Sequence, residues 1–317
     1  MTILVTGSAG HLGEAVMRTL RAAGRPARGL DRLPSPFTTH VGSIGDAEFV
    51  HDCMAGVSAV IHAATLHKPH VASHSRQAFV AANIAGTLTL LQAAVEMGVR
   101  AFAYTSTTSA FGSALTPAPG APAVWITEEV IPVPRNIYGV TKVAAESLCE
   151  LFHREHGLPV VVLRTSRFFP EPDDDAAISG AYELANVQAN ELLYRRVDIA
   201  DVVRAHLLAL ERAADIGFGR YIVSATTPFG REELPELRAD APAVVRRIFP
   251  EVDELYAARG WKLFPSLDRV YVNDRARSAL AWRPQYDFGR ALDCLARGED
   301  FRSELAREVG SKGYHRG

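Results

Sequence analysis

The stretch Ile3-Leu4-Val5-Thr6-Gly7-Ser8-Ala9-Gly10-His11-Leu12-Gly13 decides how the rest of the 317-residue chain is read. Ile3–Val5 is a β-branched run suited to a buried strand, and Leu12–Ala23 has helical periodicity, so the glycines fall on a strand-to-helix turn. Glycines there permit a tight turn and let backbone N–H groups approach a pyrophosphate, whose charge the helix N-terminus stabilises. A glycine turn alone is also an ordinary connection; the strand before it and the helix after it give it weight. A second short strand, Arg28–Leu30, ends at Asp31. An acidic residue at that separation hydrogen-bonds adenosine ribose hydroxyls and repels a 2′-phosphate, which favours NAD over NADP. Arg32 beside it softens that preference.

Strand runs continue at Val60–Ala63, Ala101–Tyr104 and Val160–Leu163. Between them Gln77–Met97 is helical, with Phe79, Leu88, Leu91 and Val95 on one face. Strands alternating with helices imply βαβ units in a parallel sheet covered on both faces. After Arg164 the pattern loosens. Phe168–Ala176 and Ala257–Pro265 lack periodicity, Asp201–Glu211 is a helix, and Gly219–Ser224 reads as a strand returning to the sheet. Ser113–Val124, rich in Pro and Ala, reads as a loop. The expected architecture is α/β: a Rossmann-type, doubly wound parallel sheet over 1–165, rejoined by segments within 196–226, with 166–317 mostly a smaller C-terminal substrate lobe.

The chain is 48% hydrophobic and 22% charged with a formal net charge of −2, an ordinary globular balance. That charge gives no pull toward nucleic acid or an anionic membrane, so neither is expected as a partner. Cys53, Cys149 and Cys294 lack metal or redox spacing and read as thiols in a reducing cytoplasm. The N-terminus has no signal-peptide pattern, and no apolar run is long enough to span a bilayer. A cytoplasmic location is expected.

Tyr138-Gly139-Val140-Thr141-Lys142 opens a helix that Ala144, Ala145, Leu148, Leu151 and Phe152 continue. Residues four apart share a helix face, so the phenol and the ammonium point the same way. A free tyrosine, with a pKa of roughly 10, is a poor base at neutral pH. A lysine ammonium and an oxidised nicotinamide nearby would favour the phenolate, which could then take a proton from a substrate hydroxyl. A lone pair at this spacing is usually a solvated helix face; the upstream glycine loop changes that reading.

The spacing G-x-x-G-x-x-G resembles that of the extended short-chain dehydrogenases. Val60-Ile61-His62-Ala63-Ala64, Asn83-Ile84-Ala85-Gly86-Thr87, Leu163-Arg164, Val197-Asp198-Ile199-Ala200-Asp201 and Leu280-Ala281-Trp282-Arg283-Pro284 follow in the order of the NAD-dependent epimerase/dehydratase group, which includes sugar-nucleotide 4-epimerases. The resemblance covers nearly the whole chain. It implies NAD as cofactor, bound by Gly7, Gly10, His11, Leu12 and Gly13 in the loop and by Asp31, Arg32, Ser43 and Ile44 at the adenosine end. Ala63, Ala64, Thr65, Asn83, Thr105, Tyr138, Lys142 and Phe168 would complete the cofactor site. Tyr104–Gly112 looks like the group's hydroxyl-bearing turn, with Thr107 at the catalytic position and Ser106 as the rival register. Catalysis would then rest on Thr107, Tyr138 and Lys142.

The pattern also departs from the group. Ser43, followed by Ile44, stands where an Asp contacts adenine, Arg167 where an Asn follows the sixth strand, and Tyr194 near a phosphate-binding Arg, with Arg195 and Arg196 adjoining. No R-x-G-D loop occurs near Ala257–Pro265. Thr108 and Ser109 occupy positions where the group's 4,6-dehydratases carry Asp-Glu, which argues against water elimination and leaves epimerisation or net dehydrogenation of a carbinol. The substrate is expected to be a sugar, sugar nucleotide or sugar acid met by His67, Thr108, Arg167 and Arg195. Arg167 with Arg195 and Arg196 would bind an anion; alternatively they pair with Glu171, Asp173, Asp174 or Asp175. His62, His67, His70 and His74 are read as pocket and strand residues, and no metal is expected. A non-catalytic NAD-binding regulator is the reading that an intact Thr107, Tyr138 and Lys142 set opposes. A homodimer is expected, through the Gln77–Met97 and Tyr138–His156 helices of each subunit.

Overall fold

The computed structural model describes residues 1–172 and 176–312. β1 (Ile3–Thr6) leads into α1 (His11–Ala22), β2 (Ala27–Asp31), the two-residue β3 (His40–Val41), α2 (Ala47–Met54) and β4 (Ala59–His62). One continuous helical stretch follows: α3 (Arg76–Phe79), a π-helical segment Val80–Ala85, and α4 (Gly86–Glu96). Next come β5 (Ala101–Thr107), β6 (Val124–Ile126), α5 (Ile137–His156) and β7 (Val160–Thr165). Then follow α6 (Ala176–Ala181), α7 (Leu184–Leu192), α8 (Ile199–Ile216) and β8 (Phe218–Val223). The chain continues through α9 (Leu234–Ile248), α10 (Val252–Ala257), β9 (Arg269–Tyr271), α11 (Asp274–Ala279), α12 (Phe288–Ala296) and α13 (Glu304–Val309).

Seven strands form a parallel sheet in the order β3-β2-β1-β4-β5-β7-β8. Side chains on successive strand residues face opposite ways, and the two faces read off directly. Val5, Ile61, Ala103, Val161 and Leu163 pack with α1, α8 and Trp282 on one side. Leu4, Val60, Phe102, Tyr104, Val160 and Val162 pack with α2, α4 and α5 on the other. A separate core gathers Val187, Leu192, Phe229, Leu237, Val244, Tyr256, Phe264 and Phe288. It sits beside a two-stranded parallel sheet in which Val124 opposes Arg269 and Ile126 opposes Tyr271.

Two expectations change. Ser113–Val124 is mostly loop, but it contains a single 3₁₀ turn at Ser113–Leu115, and Val124 begins β6. The helix Arg76–Glu96 is, by length and composition alone, apolar enough to cross a bilayer; its charges lie only at its two ends. Phe79, Leu90, Leu91 and Ala94 on it are fully buried in the protein's own core.

Trp282 is fully buried, and its indole N–H donates to the Asp201 carbonyl oxygen at 3.0 Å. The Asp201 carboxylate in turn accepts the N–H groups of Gln285 and Tyr286 at 2.9 Å. One indole thus ties the late chain to α8. Trp282→Ala should lower unfolding free energy by about 3–5 kcal/mol, read from urea melts; a loss within roughly 1 kcal/mol would show that this junction is not part of the cooperative core.

Candidate active site

Parallel strands deliver their C-terminal ends to one edge of the sheet, and β1, β4, β5 and β7 open there onto a cavity of about 1040 Å³. Its floor at one end is the glycine turn. Gly7 has φ +75, and a Cβ on it would meet the Ala64 nitrogen at 2.7 Å. A Cβ on Gly13 would lie 1.9 Å from the Gly7 carbonyl oxygen, so α1 approaches β1 as only glycine permits. The first amides of a helix have no intrahelical acceptor, and at α1 those of Leu12 and Gly13 belong to residues of the cavity wall. Glycines cleared of side chains beside a helix N-terminus fit a dinucleotide pyrophosphate.

Asp31 Oδ2 accepts the Ala9 N–H and Oδ1 the Leu33 N–H, both at 3.0 Å. A carboxylate has lone pairs beyond these two bonds for ribose hydroxyls. Arg32, Ser43, Ile44, Ala63, Ala64, Thr65, Thr105 and Phe168 line the same cavity. Ser43 Oγ accepts the Gly45 N–H at 3.2 Å, which holds the turn around Ile44. Asn83 departs from the expectation: it is buried behind the wall rather than in it. Its Oδ1 accepts from Leu66 N and Thr65 Oγ1, and its Nδ2 donates to Leu66 O and Thr141 Oγ1. With those bonds made, Asn83 braces the Thr65–Leu66 turn against α5 and reaches the cavity only through it. His62 works likewise from β4, with Nδ1 2.8 Å from Thr6 Oγ1 and Nε2 2.9 Å from Thr87 Oγ1.

Tyr138 and Lys142 lie one turn apart on α5, whose N-cap Asn136 accepts the Gly139 N–H at 3.0 Å. Thr107 ends β5; its hydroxyl accepts the Ser109 N–H at 3.1 Å and lines the same cavity as Tyr138. Ser106, the rival register, donates to Glu146 Oε1 at 2.5 Å. Glu146 also holds Arg164 Nη2 at 2.7 Å, so one buried carboxylate pins α5 to β7 beneath the site. Gly112, φ +56, closes the turn; a Cβ there would sit 2.0 Å from the Val133 carbonyl oxygen.

The electrostatics differ from the sequence expectation. Burial pushes Tyr138 up to about 12, with the Thr107 hydroxyl pulling the other way. Burial also brings Lys142 down to about 7, opposed by Glu146. Lys142 Nζ donates to the Thr105 carbonyl oxygen at 2.6 Å and stands 4.2 Å from the Tyr104 ring centroid. Desolvation therefore outweighs the pull of the Thr107 hydroxyl, and the phenol is protonated at neutral pH.

At the other end His67 stacks on Phe169 at 5.6 Å, and Phe169 stacks on Phe168 at 4.3 Å. His70 lies 4.4 Å from His67 and 5.1 Å from His74, ring to ring. No group of three or more His, Cys, Asp or Glu among the described residues is placed to hold a metal ion. Thr108 lines the cavity, its hydroxyl 3.4 Å from the Thr165 carbonyl oxygen.

Arg167 and Arg195 also line the cavity, and among the described residues they form ion pairs with Glu191, which the sequence reading does not name. Fully buried Glu191 pairs with Arg195 Nη2 at 2.8 Å, Arg196 Nη1 at 2.7 Å and Arg167 Nε at 3.7 Å. Arg167 Nη2 donates to the carbonyl oxygens of Glu171 (2.8 Å) and Pro172 (2.6 Å), not to the Glu171 carboxylate. Asp173, Asp174 and Asp175 lie outside the described residues. The i,i+4 spacing of Glu191 and Arg195 was the available signal for this pairing.

Comparison with known proteins places this geometry. A family model described as "NAD dependent epimerase/dehydratase family" matches residues 3–223. A UDP-glucose 4-epimerase of Azospirillum brasilense is 28% identical, over 88% of this chain and 91% of that protein. An NAD-dependent glucose-6-phosphate dehydrogenase of Haloferax volcanii is 30% identical, over 51% of this chain and 66% of its own. Among solved structures, a short-chain dehydrogenase/reductase superfamily protein from Agrobacterium tumefaciens with bound NAD superposes with a TM-score of 0.66. It is 26% identical and covers 97% of this chain and 99% of its own.

Burial holds His62 down to about 3. A histidine whose folded value lies below its unfolded value of about 6.5 adds stability that is complete above that pH and lost as the pH falls toward the folded value. Wild-type unfolding free energy should therefore drop more steeply than that of His62→Asn between about pH 6.5 and pH 4, by up to about 3 kcal/mol. Parallel curves for the two proteins would show that His62 is not held neutral.

Proposed function

The chain belongs to the NAD-dependent epimerase/dehydratase family, and from that premise we propose that it oxidises a carbinol of an anionic sugar derivative, with Tyr138 as base and Thr107 and Lys142 as its partners. It is an enzyme of the extended short-chain dehydrogenase type, and NAD is its cofactor. The observation that carries the proposal is that Tyr138 and Lys142, one helical turn apart, share with Thr107 the cavity of the glycine cradle.

When bound, NAD supplies the acceptor for the hydride that leaves the carbinol carbon. Thr107 would hold the reacting oxygen beside Tyr138, whose phenolate form would take its proton. Lys142, one helical turn from Tyr138 and fixed by the Thr105 carbonyl, when protonated supplies the positive charge that favours the phenolate. Thr108 and Ser109 offer no second acid–base pair, so water elimination is not supported. An intact base with its two partners also weighs against a purely regulatory NAD-binding role.

Arg167 and Arg195 line the cavity wall, and guanidinium groups there support an anionic substrate. A sugar-nucleotide 4-epimerase is the leading reading. Net dehydrogenation of a sugar acid or sugar phosphate without a nucleotide is the second. It is favoured by buried Tyr194, which stands where the sequence resemblance places a phosphate-binding arginine. We further infer a cytoplasmic homodimer paired through Arg76–Glu96 and α5, where Val80 and Val140 are exposed.

Incubation with NAD and UDP-glucose, UDP-galactose, glucose 6-phosphate or glucuronate separates the readings. Epimerisation changes the sugar without accumulating NADH; dehydrogenation accumulates it. Tyr138→Phe should keep NAD affinity and lose at least about 10²-fold in turnover. Arg195→Ala should raise KM by about 10-fold or more, from a lost charge-assisted contact of about 1.5–3 kcal/mol. Efficient turnover of a neutral sugar, with Arg167→Ala and Arg195→Ala unchanged, would remove the anionic substrate; unchanged kcat in Tyr138→Phe would remove the base.

A further inference from the structure

The helix that cradles the dinucleotide carries a carboxylate in its first turn. Glu14 follows Gly13 directly and is buried. Alone, it would repel a phosphate brought to the α1 amides. Two cations sit on it: Arg18 Nε at 2.8 Å from Oε1, and the Lys312 ammonium hydrogen-bonded to Oε2. Arg18 is shared with Glu308 at 3.6 Å, so at the cavity wall Lys312 is the cation that offsets Glu14. His11, the first residue of α1, adds no charge at neutral pH, since burial brings it down to about 4.

Lys312 comes from far along the chain, and its path is fixed at several points. Val309, at the end of α13, is buried in the core that α1 shares. Gly310, φ +58, then turns the chain. Ser311 Oγ and the Lys312 N–H both reach Glu171 Oε1, at 2.9 and 3.2 Å. Glu171 is itself buried, so a carboxylate removed from water grips this segment. Lys312 lines the main cavity together with Gly10, His11, Leu12 and Gly13.

We propose that Lys312, strapped across the first turn of α1 by Glu171, is a cofactor-binding residue whose ammonium binds the pyrophosphate of the dinucleotide. This rests on NAD occupying the glycine cradle. Glu14 holds the ammonium at the first turn before the ligand arrives, so little side-chain freedom remains to be lost on binding.

The test is calorimetric titration of wild type, Lys312→Met and a chain ending at Val309 with ADP-ribose and with adenosine, which lacks the pyrophosphate. Both variants should bind ADP-ribose about tenfold more weakly, with a shallower dependence on added KCl, and bind adenosine as wild type does. Circular dichroism melts of the free proteins show whether each variant is folded. Wild-type ADP-ribose affinity in folded Lys312→Met would overturn the proposal, as would equal weakening of ADP-ribose and adenosine. Failure of wild type itself to bind ADP-ribose would instead overturn the cofactor site, and this proposal with it.

Discussion

α1 lies against the end of β1 at a separation that admits no side chain. A methyl group on Gly13 would overlap the Gly7 carbonyl oxygen, and one on Gly7 would press on the Ala64 backbone. That approach aims the N-terminus of α1 at the space above the strand ends. It also brings the Ala9 amide onto Asp31 at the end of β2, so the charge expected to face the ribose is oriented by the same turn. The β4 end closes against it through Thr6, which joins His62 and receives the Ala64 N–H at 3.2 Å. Cradle, ribose carboxylate and cavity wall are thus one unit built on two glycines.

Chemistry is placed opposite this unit by buried charge. Glu146 joins Ser106 on β5 and Arg164 on β7 to the helix that carries Tyr138 and Lys142. Removing one member of a buried pair leaves the other unpaired in a low-dielectric interior, so the arrangement is held by a penalty against leaving it. The same low dielectric moves Tyr138 and Lys142 in opposite directions, each toward its neutral form. Glu191 repeats the device elsewhere at the cavity wall, where it pairs with Arg167 and Arg195.

The legible parts of the sequence were the local ones. Strand and helix periods placed β1, α1, β4, β5, β7 and α5, because a parallel sheet buried on both faces leaves continuous apolar runs. Tyr138 and Lys142 could be paired because helical spacing alone puts them on one face. Elements whose partners lie far away were not visible. β3 has only two residues, and β6 and β9 pair across more than a hundred positions. α2 escaped notice although Asp46 caps it through the Phe49 N–H. The resemblance of Asn83-Ile84-Ala85-Gly86-Thr87 points Asn83 at the cofactor; only tertiary packing shows its amide turned toward Leu66 and Thr141. The strap is the extreme case, since nothing near Lys312 in sequence points to Glu14.

The central claim is that Tyr138 is a phenol held protonated by burial in the free chain and converted to the base by the completed site. Ultraviolet difference spectroscopy at about pH 8.5 reads this directly, because tyrosinate absorbs where tyrosine does not. Addition of NAD to wild type should bring in a tyrosinate band of about one residue that is missing in Tyr138→Phe. A wild-type spectrum unchanged by saturating NAD, or the same band in Tyr138→Phe, would contradict the account.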